Sequence, residues 1–145
     1  MQVNPKITFF IPDLDNPIPT SFISGGIKAG FPSPAADFEE LKLSLDHLLV
    51  KNREATFYAK ASGNSMIGAG IDDGDILVID RSLEPRNNAI AVCLIDGEFT
   101  VKRIKKDNDE VYLMPENSQY QPIKIEEENE LIIWGIVTYA IKQMK

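Results

Sequence analysis

The sequence predicts a mostly β domain of short antiparallel strands with a few short helices, preceded by an extended N-terminal arm. Three observations predict it. From residue 56 onward, apolar and β-branched runs alternate with turn-forming clusters. No pair of adjacent amphipathic helices can be drawn, which also removes a helix-turn-helix. The first 35 residues carry Pro5, Pro12, Pro17, Pro19, Pro32 and Pro34, plus Gly25, Gly26 and Gly30. Such a stretch cannot propagate a helix or sit inside a sheet. The 145 residues, 43% hydrophobic and 26% charged, suffice for one domain with a real core.

The arm is not a polar tail, because Ile7, Phe9, Phe10, Ile11, Leu14, Phe22 and Ile23 are apolar. It reads as an extended segment lying on a surface, its own or a partner's, with disorder as the alternative. "SPAADFEE" then offers Ser33 as an N-cap and Pro34 in a first turn, a short helix. "LKLSLD" alternates through Leu41, Leu43 and Leu45, a strand. Asp46 can cap a short turn over "HLLVKN". The remaining strands are "TFYAKAS", "DILVID", "AIAVCLI", "EFTVKRI", "EVYLMP", "PIKI" and "ELIIWGIVTYAIK". Between "AIAVCLI" and "EFTVKRI", Asp96-Gly97 has the residues of a type I′ hairpin turn. The last segment suits a dimer interface or a central core strand equally.

Charge and composition narrow the function classes. The formal net charge is −7, and residues 1–29 sum to zero, so the acidity lies in the body. An acidic body does not grip DNA phosphates, so direct specific DNA binding is not expected. The basic run Lys102, Arg103, Lys105 and Lys106 reads first as a solvated hairpin end. No membrane span and no secretory signal is expected. The single cysteine, Cys93, lies in an apolar strand pattern and reads as a buried structural thiol in a reducing, cytoplasmic setting. One His and one Cys leave a zinc site without ligands. "GAGIDDGD" lacks the signatures of a phosphate loop and of an EF-hand.

The stretch "ASGNSMIGAGIDDGD" raises a sharper question. Ser65 sits among Gly63, Asn64, Gly68 and Gly70, a setting that exposes a hydroxyl on a tight bend. A loop serine beside a short helix is the plain reading, and a nucleophile needs a base. His47 has no serine–carboxylate arrangement near it and reads as a surface histidine. A lysine is the other option, provided that an apolar setting strips its charge. Lys102, in "GEFTVKRI", shares a strand face with Thr100 and Ile104 and is flanked by apolar residues. Lys60 competes, and an ordinary strand lysine at a sheet surface remains open for Lys102.

The runs "AGFPSPAAD", "ASGNSMIGAGIDDGD", "DGEFTVKRI" and "MPENSQYQPI", in this order over about residues 29–145, resemble the UmuD family, relatives of the LexA and phage-repressor self-cleaving peptidases. The resemblance implies a LexA/UmuD-like peptidase domain at 30–145 and a removable arm at 1–29. It implies Ser65 as nucleophile and Lys102 as general base. The backbone N–H groups of Ser65 and Asn64 become an oxyanion hole, and the Ala29–Gly30 bond the cleavage site, with no cofactor. Relatives often carry aspartate where this chain has Asn64, so the role of that side chain is open. The resemblance further implies a DNA-damage (SOS) role, with cutting stimulated by the RecA filament on single-stranded DNA. The trimmed homodimer would then serve a Y-family translesion polymerase catalytic subunit. The alternative is a non-catalytic interaction module that keeps the fold as a partner of polymerase or RecA filament. A LexA-type repressor is not expected with 29 residues before the cut, nor a signal peptidase without an anchor.

Overall fold

A computed structural model describes residues 8–23, 30 and 40–144. Two compact units make up the chain, one of residues 1–12 and 52–145 and the other of residues 13–51. The smaller unit holds β2 (Thr20–Ile23), β3 (Glu40–Leu43) and the helix α1 (Leu45–Leu49). The larger unit holds β1 (Phe9–Phe10), β4 (Thr56–Lys60), β5 (Ile76–Asp80), β6 (Ile90–Ile95) and β7 (Glu98–Asp107). It continues with β8 (Glu110–Met114), β9 (Ile123–Lys124) and β10 (Leu131–Ile141). The architecture is the mostly β, antiparallel one that the sequence predicts.

In the smaller unit β2 and β3 form an antiparallel pair that runs from Thr20↔Leu43 to Ile23↔Glu40. The alternation of Leu41, Leu43 and Leu45 predicts a longer strand than this. Pairing stops at Leu43 because the next position on β2 is Pro19, which has no N–H to donate. The chain turns instead at Ser44, which takes the cap position in place of the expected Asp46. The predicted helix over "SPAADFEE" lies outside the described residues, apart from the start of β3 at Glu40.

The larger unit is one eight-stranded sheet in the order β1-β4-β5-β10-β6-β7-β8-β9. All of its pairings are antiparallel. The arm is not wholly without regular structure, as its prolines led the sequence reading to expect. Phe9 and Phe10 form the outermost strand, an edge position that tolerates the nearby Pro12. Between β6 and β7, Asp96 and Gly97 both take positive φ, 49° and 83°, as a type I′ turn requires.

β10 lies inside the sheet, between β5 and β6, as the central-strand reading of the last segment expects. Its eleven residues do not alternate, and the pairing explains why. Opposite β6 the register steps from Ile133↔Cys93 to Gly135↔Val92, leaving Trp134 as an extra residue. Opposite β5 it steps from Val137↔Ile79 to Tyr139↔Val78, leaving Thr138 extra. Each such bulge bends the strand and redirects a side chain. The Trp134 carbonyl, freed from the ladder, accepts a hydrogen bond from Arg81 Nε at 2.9 Å.

Apolar residues pack on both faces of the sheet. One cluster joins Ala59, Leu77, Ile79 and Val92 to Met66 and Ile71 of the loop after β4. The other gathers Ala91, Cys93, Ile104, Leu113 and Ile136. The alternation of Ala91, Val92 and Cys93 between the two clusters is the period of 2 expected of β6. Phe9 of β1 nevertheless touches Phe99 of β7, with ring centroids 5.2 Å apart. Five strand spacings separate these strands, about 24 Å in a flat sheet. The sheet therefore curls until one edge meets its far side, as two bulges in a central strand allow.

Gly135 is fixed by that curl. A Cβ there would stand 2.5 Å from Ile79 Cγ2, in the fully buried core. Gly135→Ala is expected to lower stability by about 1–3 kcal/mol in urea denaturation. Ile132→Ala, on the exposed side of the same strand, is expected to stay within about 0.5 kcal/mol of the parent.

Candidate active site

Ser65 follows β4 in a turn that is tied down on several sides. Ala61 N–H donates to Asp75 O at 2.7 Å, and Gly74 N–H donates back to Ala61 O at 2.8 Å. Gly63 N–H donates to Asp73 Oδ1 at 2.8 Å. The "DDGD" segment binds a cation of the chain's own, since Lys142 Nζ lies 2.5 Å from Asp72 Oδ2 and 2.6 Å from Asp75 Oδ2. Burial would raise the Asp75 carboxyl, but hydrogen bonds from Lys142 and the Asp72 N–H outweigh it and hold it below the usual carboxylate range.

From the other side comes the segment after β8. Pairing of β7 with β8 ends at Arg103↔Met114, and the chain runs on through Pro115, Glu116 and Asn117 past the Ser65 turn. Glu116 N–H donates to Ser65 O at 2.8 Å, and Gly68 N–H donates to Glu116 O at 2.7 Å. The approach is so close that a Cβ on Gly68 would lie 2.6 Å from Glu116 O. Asn117 Nδ2 donates to Asn64 O at 2.9 Å. In a trans peptide the N–H points opposite to the C=O. Asn117 therefore turns the Asn64–Ser65 peptide so that the Ser65 N–H faces away from the 116–117 segment. Among the described residues, the Asn64 and Ser65 N–H groups meet no hydrogen-bond acceptor.

Lys102 lies on β7 opposite Ala91, at the point where β8 has already left. Its residue is only 8% exposed. Nζ is 2.9 Å from Ser65 Oγ, 2.7 Å from Thr100 Oγ1 and 3.1 Å from Val101 O. The Val101 carbonyl can only accept, and the Thr100 hydroxyl can do so. Two N–H bonds to these oxygens leave the third tetrahedral position of a neutral amine, its lone pair, on the Ser65 hydroxyl. Burial pushes the Lys102 amine below the usual lysine range, with Cys93 opposing weakly.

The basic run expected at a solvated hairpin end is thus divided. Lys102 is buried, and Arg103 Nε binds Glu116 Oε1 at 2.6 Å while its Nη1 donates to Asn88 O at 2.7 Å. Lys105 and Lys106 alone keep the expected exposure. Adjacent residues of one strand thereby hold the two sides of the site, Lys102 the hydroxyl and Arg103 the segment that fixes the turn.

A cleft of about 560 Å³ opens over Ser65 and Lys102, with Asn64, Phe99, Thr100 and Tyr120 on its walls and Met66, Leu77, Val92 and Val101 among its apolar lining. Lys60 reaches the same cleft but is exposed, whereas Lys102 is buried. His47 is exposed in α1 of the other unit. Cys93 is fully buried, and desolvation pushes its thiol up to about 11. Gly30 is an exposed bend in the smaller unit, and Ala29 lies outside the described residues. Among the described residues, no three His, Cys, Asp or Glu side chains converge as a metal site. No described helix is long and apolar enough to cross a membrane. Thr100, Val101 O, Glu116 and Asn117 join the site without having been given a role from sequence. The quoted run "MPENSQYQPI" contained two of them, but nothing in the run said what they hold.

A hydroxyl held against a desolvated amine in a cleft, on a curled antiparallel sheet, defines a class. Residues 21–138 match the Peptidase S24-like family, and the chain belongs to it, with the LexA/UmuD-like fold. Protein MucA of Salmonella typhimurium is 42% identical over 116 residues, 79% of each chain. Protein ImpA of Salmonella typhimurium is 37% identical over 119 residues, 81% of this chain and 80% of its own. LexA repressor 1 of Geobacter sulfurreducens is 36% identical over 103 residues, 71% of this chain and 50% of the repressor.

The buried amine gives a pH signature of its own. Its pKa is depressed in the folded state, so between that value and about 10.5 the unfolded chain binds more protons. Stability contributed by this group therefore rises with pH across that window. The denaturation free energy of the parent, compared with Lys102→Met, is expected to climb as pH is raised towards 10.5. A difference that stays flat across this window would place the amine in water.

Proposed function

We propose that the protein is a self-cleaving serine peptidase that cuts its own Ala29–Gly30 bond, with Ser65 as nucleophile and Lys102 as general base. The observation that carries the reading is the 2.9 Å approach of a desolvated Lys102 Nζ to Ser65 Oγ. The neutral amine takes the hydroxyl proton as Ser65 Oγ attacks the Ala29 carbonyl carbon. The N–H groups of Ser65 and Asn64 receive the developing oxyanion, and Asn117 sets the direction of the first. As the C–N bond breaks, the Lys102 ammonium returns its proton to the Gly30 nitrogen, and an ester links Ala29 to Ser65. Water, deprotonated by the same amine, then attacks that ester; as the C–Oγ bond breaks the ammonium returns the proton to Ser65 Oγ, and the arm leaves as a free acid. The tether supplies the substrate at high effective concentration.

Cutting leaves residues 30–145, and the reading extends to the cellular role that the UmuD resemblance implies. The protein acts in the cytoplasm in the SOS response to DNA damage. Cutting is stimulated by the RecA filament on single-stranded DNA. The trimmed homodimer is the accessory subunit of an error-prone Y-family translesion polymerase. Kinship with MucA, ImpA and a LexA repressor supports the general role, and the acidic body suits protein partners better than DNA.

Pure protein incubated across a pH series and read by mass spectrometry is expected to yield a fragment beginning at Gly30. The rate is expected to rise with pH and level off below about 10.5, because only the neutral amine is competent. Ser65→Ala and Lys102→Ala are each expected to slow cutting on the order of 10³-fold or more. Absence of the fragment at every pH, with RecA filament added, leaves an interaction module as the better account. Asn117→Ala is expected to slow cutting about 10–100-fold without moving the pH midpoint.

A further inference from the structure

β4 is paired along its full length with β5 on one side, whereas on its other side, among the described residues, Phe9 and Phe10 pair with it. In that register one side chain does most of the holding. The Phe9 ring stacks on Trp134, centroids 4.2 Å apart, and meets Phe99 edge-on at 5.2 Å. Phe57 closes on Trp134 at 5.2 Å, also edge-on. Phe10 and Ile11 are 52% and 78% exposed, and the next buried residue is Pro12. The receiving slot is a consequence of the bulge, because Trp134 is the unpaired residue of β10 and is held from behind by Arg81, whose Cζ lies 4.4 Å from the ring centroid.

Two ladder positions and one ring are a weak fastening. Aromatic pairs add only modestly to what their buried area contributes. An open sheet edge beside an aromatic pocket is also the arrangement by which domains add an extended peptide as an extra strand. We propose that the outer edge of β4, together with Trp134, Phe57 and Phe99, is a binding site for an extended segment of a partner protein that presents one aromatic side chain, and that residues 8–12 occupy it in the uncut chain. The chain's own segment defines the chemistry accepted: an aromatic ring at the position of Phe9, backbone paired at the next residue, and proline three residues after the ring. The site itself does not depend on the proposed peptidase activity. Only the clearing of the site by cutting does, since the departing arm carries Phe9 away.

Trp134 is the sole tryptophan, so its emission reads the slot directly. The experiment uses the full chain with Ser65→Ala, so that the arm stays attached whatever the fate of the peptidase reading. Adding Phe9→Ala is expected to shift Trp134 emission to the red. A synthetic peptide of residues 6–14, KITFFIPDL, is expected to reverse the shift saturably. The same peptide with alanine at the Phe9 position is expected to bind at least about tenfold more weakly. In the chain that keeps Phe9, where peptide and arm offer Trp134 the same ring, binding is read by the anisotropy of the same peptide carrying a fluorescent label, and half-saturation is expected at a concentration about tenfold higher or more, because the tethered arm competes at an effective concentration near millimolar. Phe10→Ala, at the exposed neighbour, is expected to leave the emission unchanged. Unchanged emission in Phe9→Ala, no titration up to several millimolar peptide, or identical curves for the two peptides would each overturn the proposal.

Discussion

A primary amine kept out of water beside a hydroxyl is the constraint on which the rest of the site depends. Desolvating a lysine is costly, and the fold accepts that cost where Lys102 packs on β7 against β6. The amine is not merely buried. Thr100 and Val101 O give its N–H groups fixed acceptors. The position left towards Ser65 is the lone pair whenever the amine is neutral. A strand supplies this geometry cheaply, because residues i and i+2 share a face and the intervening carbonyl is close at hand.

The hydroxyl must be held with comparable firmness, and it sits on a turn rather than a strand. The segment from Pro115 to Asn117 solves this. It grips the turn through the carbonyls of Asn64 and Ser65, which turns the Ser65 N–H to the other side, where it meets no acceptor among the described residues. Arg103 then fastens that segment to β7 through Glu116. Both halves of the site are thereby referred to one rigid strand. Displacement of β7 would carry amine and hydroxyl together, which preserves their separation.

Much of this was legible in the sequence. Ser65 stands in a glycine-rich bend and Lys102 in an apolar alternating run, but these local signals left both residues open, and the resemblance to the UmuD family singled them out. The Asp96-Gly97 turn and most strands of the larger unit were legible from local signals alone. What failed to show were features set by tertiary pairing. The fate of Arg103 depends on Glu116, thirteen residues away in sequence, so charge counting put it on a solvated hairpin end. The bulge at Trp134 had only Gly135 as a hint, an isolated glycine in a strand pattern. Phe9 and Phe10 are too few to announce a strand, and prolines nearby argued against one. Their place is decided by an aromatic slot assembled from β4, β7 and β10, which no window of sequence contains.

The sealed thiol of Cys93 has a practical corollary. It is fully buried and stays protonated at ordinary pH, and the thiolate is the reactive species. The wild-type background is therefore silent towards maleimides and similar reagents while folded. A cysteine introduced at any exposed position becomes the one addressable handle, so dyes or spin probes can be attached without first engineering the native residue away.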